Sequence, residues 1–90
     1  MKFTIRRTTQ FKRDVKKVLH RGKDIEKLLG VVEILSEGKN LTPEYHDHPL
    51  RGKYTNNRDC HIESDWILIY AVEDDELVLY RTGSHPELFG

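Results

Sequence analysis

Several features that would assign a protein to a class are scarce in this chain of 90 residues. Its one cysteine, Cys60, cannot form an internal disulfide, so a reducing cytoplasm is the expected location. No apolar run approaches the ~18 residues of a membrane-spanning helix, and no membrane contact is expected. The N-terminal segment MKFTIRRTTQ lacks the apolar stretch of a secretory signal. The length predicts one domain over residues 1–90.

The chain also lacks net charge, but its charges are unevenly distributed. Residues 1–30 hold ten Lys and Arg against three Asp and Glu, and the remaining residues carry the compensating acidic excess. Such asymmetry is typical of a basic face that meets phosphates. The alternative is that these cations only solvate two amphipathic helices.

Hydrophobic periodicity predicts two helices between an N-terminal strand and a run of later strands. The segment KFTIRR alternates as a strand, and Thr8 or Thr9 is placed to cap the helix that Gly22 ends. The other predicted elements are a second helix from about Asp24 to Ser36, a loop over 39–50, and strands over 58–63, 66–72 and 77–83. This order predicts an α+β fold in which the helical hairpin packs on one face of a mainly antiparallel sheet.

The strand order brings a chemically rich set of side chains toward one edge of the sheet: His61, Asp65, Arg81 and His85, with His48 in the loop before them. Imidazoles accept and donate protons near neutral pH, and a guanidinium stabilises charge that builds on a phosphate. Exposed aromatic rings such as those of Trp66 and Phe89 can stack on a base. These groups suffice for RNA cleavage without a metal or cofactor, because the attacking 2′-hydroxyl belongs to the RNA.

Each residue also has a simpler explanation. The tract from His46 to His48 resembles a metal-binding sequence, but no further ligand follows at zinc-finger spacing. Asp65 can be a turn residue, Trp66 a core residue and Arg81 one half of an ion pair. Only their expected location at one edge favours a shared function.

Three segments resemble a known family: HDHPLRGKY, RDCHIESDWILIY and YRTGSHPELFG. Together they resemble the YafQ-like branch of the RelE/ParE superfamily, toxins of bacterial type II toxin–antitoxin modules. The resemblance implies a RelE-like fold and a ribosome-dependent mRNA interferase that cuts the codon in the A site. It also implies catalytic or mRNA-contacting positions, which are His48, His61, Asp65, Trp66, His85 and Phe89.

The roles that follow are expectations. His85 is expected to be the general acid, and either Asp65 or His48 the base, with His61 orienting the reacting groups. Trp66 and Phe89 are expected to hold the base or shape the pocket.

Chemistry alone suggests that Arg81 stabilises the phosphate. Lys12 and Lys16 are expected to meet ribosomal RNA, since phosphate attraction gives affinity without sequence information. His46 is additional to the motifs and is expected to be a bystander.

The resemblance further implies a cognate antitoxin protein, with operator DNA contacted only through that antitoxin. Two other functions remain open from the sequence. One is a non-enzymatic toxin of the same fold, of the gyrase-inhibitor type. The other is a small zinc-binding or RNA-binding adaptor.

Overall fold

The computed structural model describes residues 2–90. Its strands form one sheet. Met1, part of the predicted domain, lies outside the described residues. The strands are β1 (Thr4–Arg7), β2 (His48–Pro49), β3 (Arg58–Glu63), β4 (Trp66–Glu73) and β5 (Glu76–Gly83). The helices are α1 (Thr9–His20), α2 (Ile25–Ser36) and α3 (His85–Phe89), and Pro43–Tyr45 and Gly52–Tyr54 each form one 3-10 turn.

The sheet has the order β1-β5-β4-β3-β2. Strand β1 runs parallel to β5, and every other pairing is antiparallel. The predicted α+β class and mainly antiparallel sheet are therefore confirmed. Because β4 is central and nearly every one of its residues is apolar, both of its faces are buried.

Helices α1 and α2 cover one face of the sheet. The Thr8 side chain accepts a hydrogen bond from the Phe11 N–H, and the Asp24 side chain accepts one from the Glu26 N–H, so both helices begin at capped positions. Their apolar stripes pack against alternate residues of β3, β4 and β5 in a core that contains Phe11, Val18, Leu28, Val32, Leu35, Cys60, Leu68, Leu77 and Leu79.

The opposite face carries a smaller core under α3, in which Leu88 packs with Ile67 and Ile69. Neither α3 nor β2 is predicted by the sequence pattern. Helix α3 has a recognisable signal, because Ser84 and Glu87 form a reciprocal capping box at its start. Strand β2 has two residues, one of them Pro49, and is too short for periodicity to reveal.

A buried carboxylate on α1 connects the helices to the centre of the sheet. Asp14 is 2% exposed, and its oxygens accept hydrogen bonds from Arg81 Nε at 2.8 Å, Arg81 Nη2 at 3.1 Å and the Thr82 N–H at 3.2 Å. The Thr82 hydroxyl accepts a bond from the Trp66 indole N–H at 2.9 Å and donates one to the Ile67 carbonyl at 2.8 Å. A continuous polar chain thus fixes α1, β5 and the start of β4 relative to one another.

Replacing Asp14 with alanine removes the acceptor from this chain and leaves the Arg81 guanidinium uncompensated. We expect Asp14→Ala to lower the free energy of unfolding by roughly 3 kcal/mol, as measured by urea denaturation. Asp75→Ala, in the exposed turn between β4 and β5, is the control and should change stability by less than about 0.5 kcal/mol. Equal stability of the two variants would contradict the structural role of Asp14.

Candidate active site

A second buried carboxylate lies on β3 beside the histidines. Asp59 is 3% exposed and stands opposite His48 in the register between β2 and β3. Its Oδ1 lies 3.0 Å from His48 Nδ1, whereas the His48 side chain remains 52% exposed. No group in residues 2–90 gives this oxygen a well-directed hydrogen bond. The carboxylate therefore faces the imidazole at close range from a position that water scarcely reaches.

The turn before β2 brings a backbone acceptor to the same nitrogen. His46 adopts the left-handed conformation (φ 49°, ψ 42°), which is uncommon for a residue other than glycine. Its carbonyl oxygen lies 2.7 Å from His48 Nδ1, and its ring packs edge-on against His61 with centroids 5.5 Å apart. His46, expected to be a bystander, is thus a direct neighbour of two site histidines.

Asp47 anchors this turn to the sheet. It accepts hydrogen bonds from Arg58 Nε at 3.0 Å and from the Tyr70 hydroxyl at 2.7 Å. Arg58 begins β3 and Tyr70 lies in β4, so the loop that carries His46 and His48 is held by two strands.

The charges of several histidines affect the pKa of Asp59. Burial raises the pKa of Asp59, and the charges of His48, His61 and His85 oppose that rise. Imidazoles from three separate segments therefore lie close enough to one buried carboxyl group to influence its ionisation. Perturbed, partly desolvated acids of this kind are concentrated at functional sites.

His85 opens α3 and is held there by Asp65. The Asp65 Oδ1 accepts a hydrogen bond from the His85 backbone N–H at 3.0 Å. The His85 ring packs against Phe89 with centroids 4.9 Å apart, and Tyr54 contacts the other edge of this pair, 5.8 Å from Phe89. Asp65 and His85 thus meet as the topology predicts, and Phe89 and Tyr54 extend the cluster beyond them.

Two expected roles need correction. Trp66 is 1% exposed in the helix-side core, so the expectation that its ring stacks on a base is wrong; of its two expected roles, only shaping the site fits this position. Arg81 is not a free cation, because its hydrogen bonds with Asp14 hold it and raise its pKa, with a smaller contribution from Tyr54. The simpler ion-pair explanation therefore holds for Arg81, although it engages only part of the guanidinium.

The expected residues do not share one cleft. His46, His48 and His61 line an open cavity of about 790 Å³ beside the β3 edge. Asp65 and Trp66 line a separate, smaller cavity of about 170 Å³ toward α1. His48 and His61 therefore share one open cavity, whereas Asp65 lies at another.

Some of the basic side chains in the N-terminal third of the sequence form ion pairs within the protein. Lys23 and Lys27 both bind Glu63 at 2.8 Å, and these hydrogen bonds lower the pKa of Glu63 to about 2. Lys12 and Lys16 are exposed on α1 and make no ion pair within residues 2–90. Helix α1 therefore keeps exposed cations that can meet an external anion.

Asp59 and Tyr54 are the site residues that sequence reasoning missed. A signal for Asp59 existed, since it lies two positions before His61 on a strand and so shares its face. Tyr54 gave no comparable signal, because its position depends on the 3-10 turn that carries it and on α3. Its hydroxyl donates a hydrogen bond to the carbonyl oxygen of Leu88 in that helix.

Within residues 2–90, no three His, Cys, Asp or Glu side chains are grouped so that they could hold a metal ion. None of the helices in the same range is long and apolar enough to cross a membrane.

Known proteins of one family are similar to this chain over nearly its whole length. The family model for YafQ, the bacterial toxin of type II toxin–antitoxin systems, matches residues 3–90. The mRNA interferase toxin YafQ of Escherichia coli strain K12 is 44% identical over 82 residues, which is 90% of this chain and 89% of that protein.

Solved structures support the same assignment. YafQ from E. coli strain BL21(DE3) superposes with a TM-score of 0.93 at 40% identity, covering 98% of this chain and 99% of that one. A chain of the E. coli DinJ–YafQ complex gives a TM-score of 0.89 at 42% identity, covering 98% and 99%. The resemblance predicted from the three motifs is confirmed: this chain belongs to the YafQ family of bacterial type II toxin–antitoxin toxins.

Proposed function

We propose that this toxin is an endoribonuclease that acts on the ribosome and cleaves mRNA in the A site without a metal or cofactor. The observation that carries the proposal is the group of exposed and half-buried imidazoles on one open face: His48 lies 3.0 Å from buried Asp59, and His48 and His61 line the same cavity. The similar E. coli protein is named an mRNA interferase, which supports RNA as the substrate. A toxin that acts by binding alone has no need of several proton carriers.

The reaction needs only groups that this face and the RNA supply. The ribose 2′-oxygen attacks the adjacent phosphorus while a base takes its proton, and the 5′-oxygen leaves with a proton from His85. The His85 ring is exposed, and its backbone is fixed through Asp65, so the donor is both accessible and held in place. His61 orients the reacting groups from β3.

Arg81 fits a supporting role in charge stabilisation. Asp14 engages its Nε–H and one Nη2–H, and the other donors of the guanidinium, which lie near the Tyr54 hydroxyl, are offered to a phosphate oxygen. The ion pair limits the motion of the group, and preorganised donors are the effective ones at developing charge. Phe89, which is exposed beside His85, provides a surface on which an RNA base stacks.

The partners follow from the surfaces and from the family. Lys12 and Lys16 on α1 contact ribosomal RNA phosphates. Because its targets are the ribosome and mRNA, the protein acts in the cytoplasm. The E. coli relative forms a complex with DinJ, so a cognate antitoxin protein binds and neutralises this toxin. Operator DNA is contacted only through that antitoxin.

We expect His85→Ala to reduce A-site cleavage by at least about 10²-fold, since it removes the proton donor. Primer extension on mRNA from cells that express each variant reads out the cut sites. His20→Ala, which makes the same change at an exposed position ending α1, is the control and should cleave like the wild type. Binding of the antitoxin should be unchanged in both variants. Full cleavage and growth arrest by His85→Ala would remove this residue from the mechanism.

A variant in which both charges are reversed, Lys12→Glu with Lys16→Glu, should bind ribosomes more weakly than the wild type, with the largest difference at low salt. The slope of log affinity against log salt should become shallower by roughly 0.7–0.9 for each phosphate that the variant no longer neutralises. Lys39→Glu, an exposed reversal after α2, is the control and should keep the wild-type slope. If the double variant also kept that slope, the basic face of α1 would only solvate the helix.

A further inference from the structure

His48 Nδ1 faces two acceptors and no donor. The carbonyl oxygen of His46 lies 2.7 Å away and Asp59 Oδ1 lies 3.0 Å away. Neither a carbonyl nor a carboxylate donates a hydrogen bond, so both neighbours favour the tautomer with the proton on Nδ1. In the neutral ring, the lone pair is then on Nε2, at the far side of an imidazole whose side chain is half exposed.

We propose that Asp59 is a positioning residue that, together with the His46 carbonyl, keeps the His48 proton on Nδ1 and makes Nε2 the general base. The inference rests on the proposed function, takes His48 from the two candidate bases that the sequence offers, and adds Asp59 as the group that orients it. The 2′-hydroxyl proton moves to Nε2 while the 2′-oxygen forms its bond to phosphorus. The bond to the 5′-oxygen breaks and that oxygen takes the His85 proton, which leaves a 2′,3′-cyclic phosphate; His48 then releases its proton to water and His85 takes one up.

The charge of Asp59 acts during this step. Once Nε2 is protonated, the ring becomes an imidazolium whose Nδ1 side faces the buried carboxylate at 3.0 Å. A carboxylate at that distance in a poorly solvated position stabilises the imidazolium more than an exposed one does. An acid that orients a histidine and stabilises its protonated form is the arrangement used in hydrolase triads.

Asp65, the other candidate base, is placed differently. One of its oxygens accepts the backbone N–H of His85 at 3.0 Å, so its carboxylate anchors the start of α3. Asp65 thereby positions the proton donor, and His48 and His85 then divide the two proton transfers between two segments of the chain.

The surroundings of Asp59 indicate a function because they are unfavourable for stability. Its buried Oδ1 lacks a well-directed hydrogen bond within residues 2–90, and such an oxygen destabilises the fold. Burial also raises the pKa of this acid despite the charges of His48, His61 and His85, while nearby Asp47 adds to the rise. The folded state therefore favours the neutral form more than the unfolded chain does, and an uncharged isostere should not weaken the fold.

The first test reads the tautomer of His48 in purified wild-type toxin. Long-range ¹H–¹⁵N correlation spectra at a pH where the ring is neutral should show the proton on Nδ1. A proton on Nε2 would overturn the inference whatever the enzymatic activity. This measurement needs no RNA, so it decides the inference even if the toxin fails to cut mRNA on ribosomes, a result that would overturn the proposed function instead.

The second test compares Asp59→Asn with Asp75→Asn, the same change at an exposed turn. Asp59→Asn should slow single-turnover cleavage on ribosomes at least about 10-fold and shift part of the His48 proton to Nε2. The ribosome concentration for half-maximal rate should be unchanged, and the urea midpoint at pH 7 should stay or rise. Asp75→Asn should match the wild type in all four measurements.

Two results would overturn the role of Asp59. A rate within about twofold of the wild type, with the proton still on Nδ1, would assign the tautomer to the His46 carbonyl alone. A slower rate accompanied by a lower urea midpoint and weaker ribosome binding would make Asp59 a structural residue.

Discussion

The hydrogen bonds of buried Asp14 determine how the rest of the molecule is arranged. This carboxylate joins α1 to β5 through Arg81 and Thr82, and Thr82 continues the chain to Trp66 at the start of β4. Thr82 lies three residues before His85, and Trp66 directly follows Asp65. The residues that hold the proposed proton donor therefore extend from the most strongly fixed part of the core. Site geometry and fold stability are coupled at this end of the sheet.

The protein contains two buried aspartates whose environments are opposite. Asp14 receives hydrogen bonds from four donor groups and is fully compensated. Asp59 has one buried oxygen without such a bond and faces an exposed histidine. Removing a satisfied buried acid destabilises a fold because its partner is left uncompensated, whereas an unsatisfied one lowers stability and is kept where chemistry requires it. This contrast distinguishes the structural carboxylate from the proposed positioning one without reference to any relative.

Local patterns predicted much of the fold, because they depend on neighbours in the sequence. Thr8 and Asp24 cap helices at the predicted ends, and the alternation in β3 places its residues correctly. The sequence offered Trp66 both as a core residue and as a stacking surface, and its hydrogen bond to Thr82, 16 residues away, belongs to the core position. The contact between Asp59 and His48 was missed because His48 belongs to a two-residue strand with no periodicity. Side-chain pairing across distant segments is what the sequence pattern left undetermined.

The central claim is that His48 and His85 transfer protons while a 2′-hydroxyl of the ribosome-bound mRNA attacks the adjacent phosphate. The most direct test programs ribosomes with an mRNA in which the nucleotide at the mapped A-site cut carries a 2′-deoxy sugar, with the all-ribose message as the control. We expect the all-ribose message to be cut and to leave a 5′-hydroxyl on the downstream fragment, and the 2′-deoxy message to stay intact at that position while toxin still binds the ribosome. Cleavage of the 2′-deoxy message at the same position and rate would contradict the account, because the attacking oxygen would then come from elsewhere.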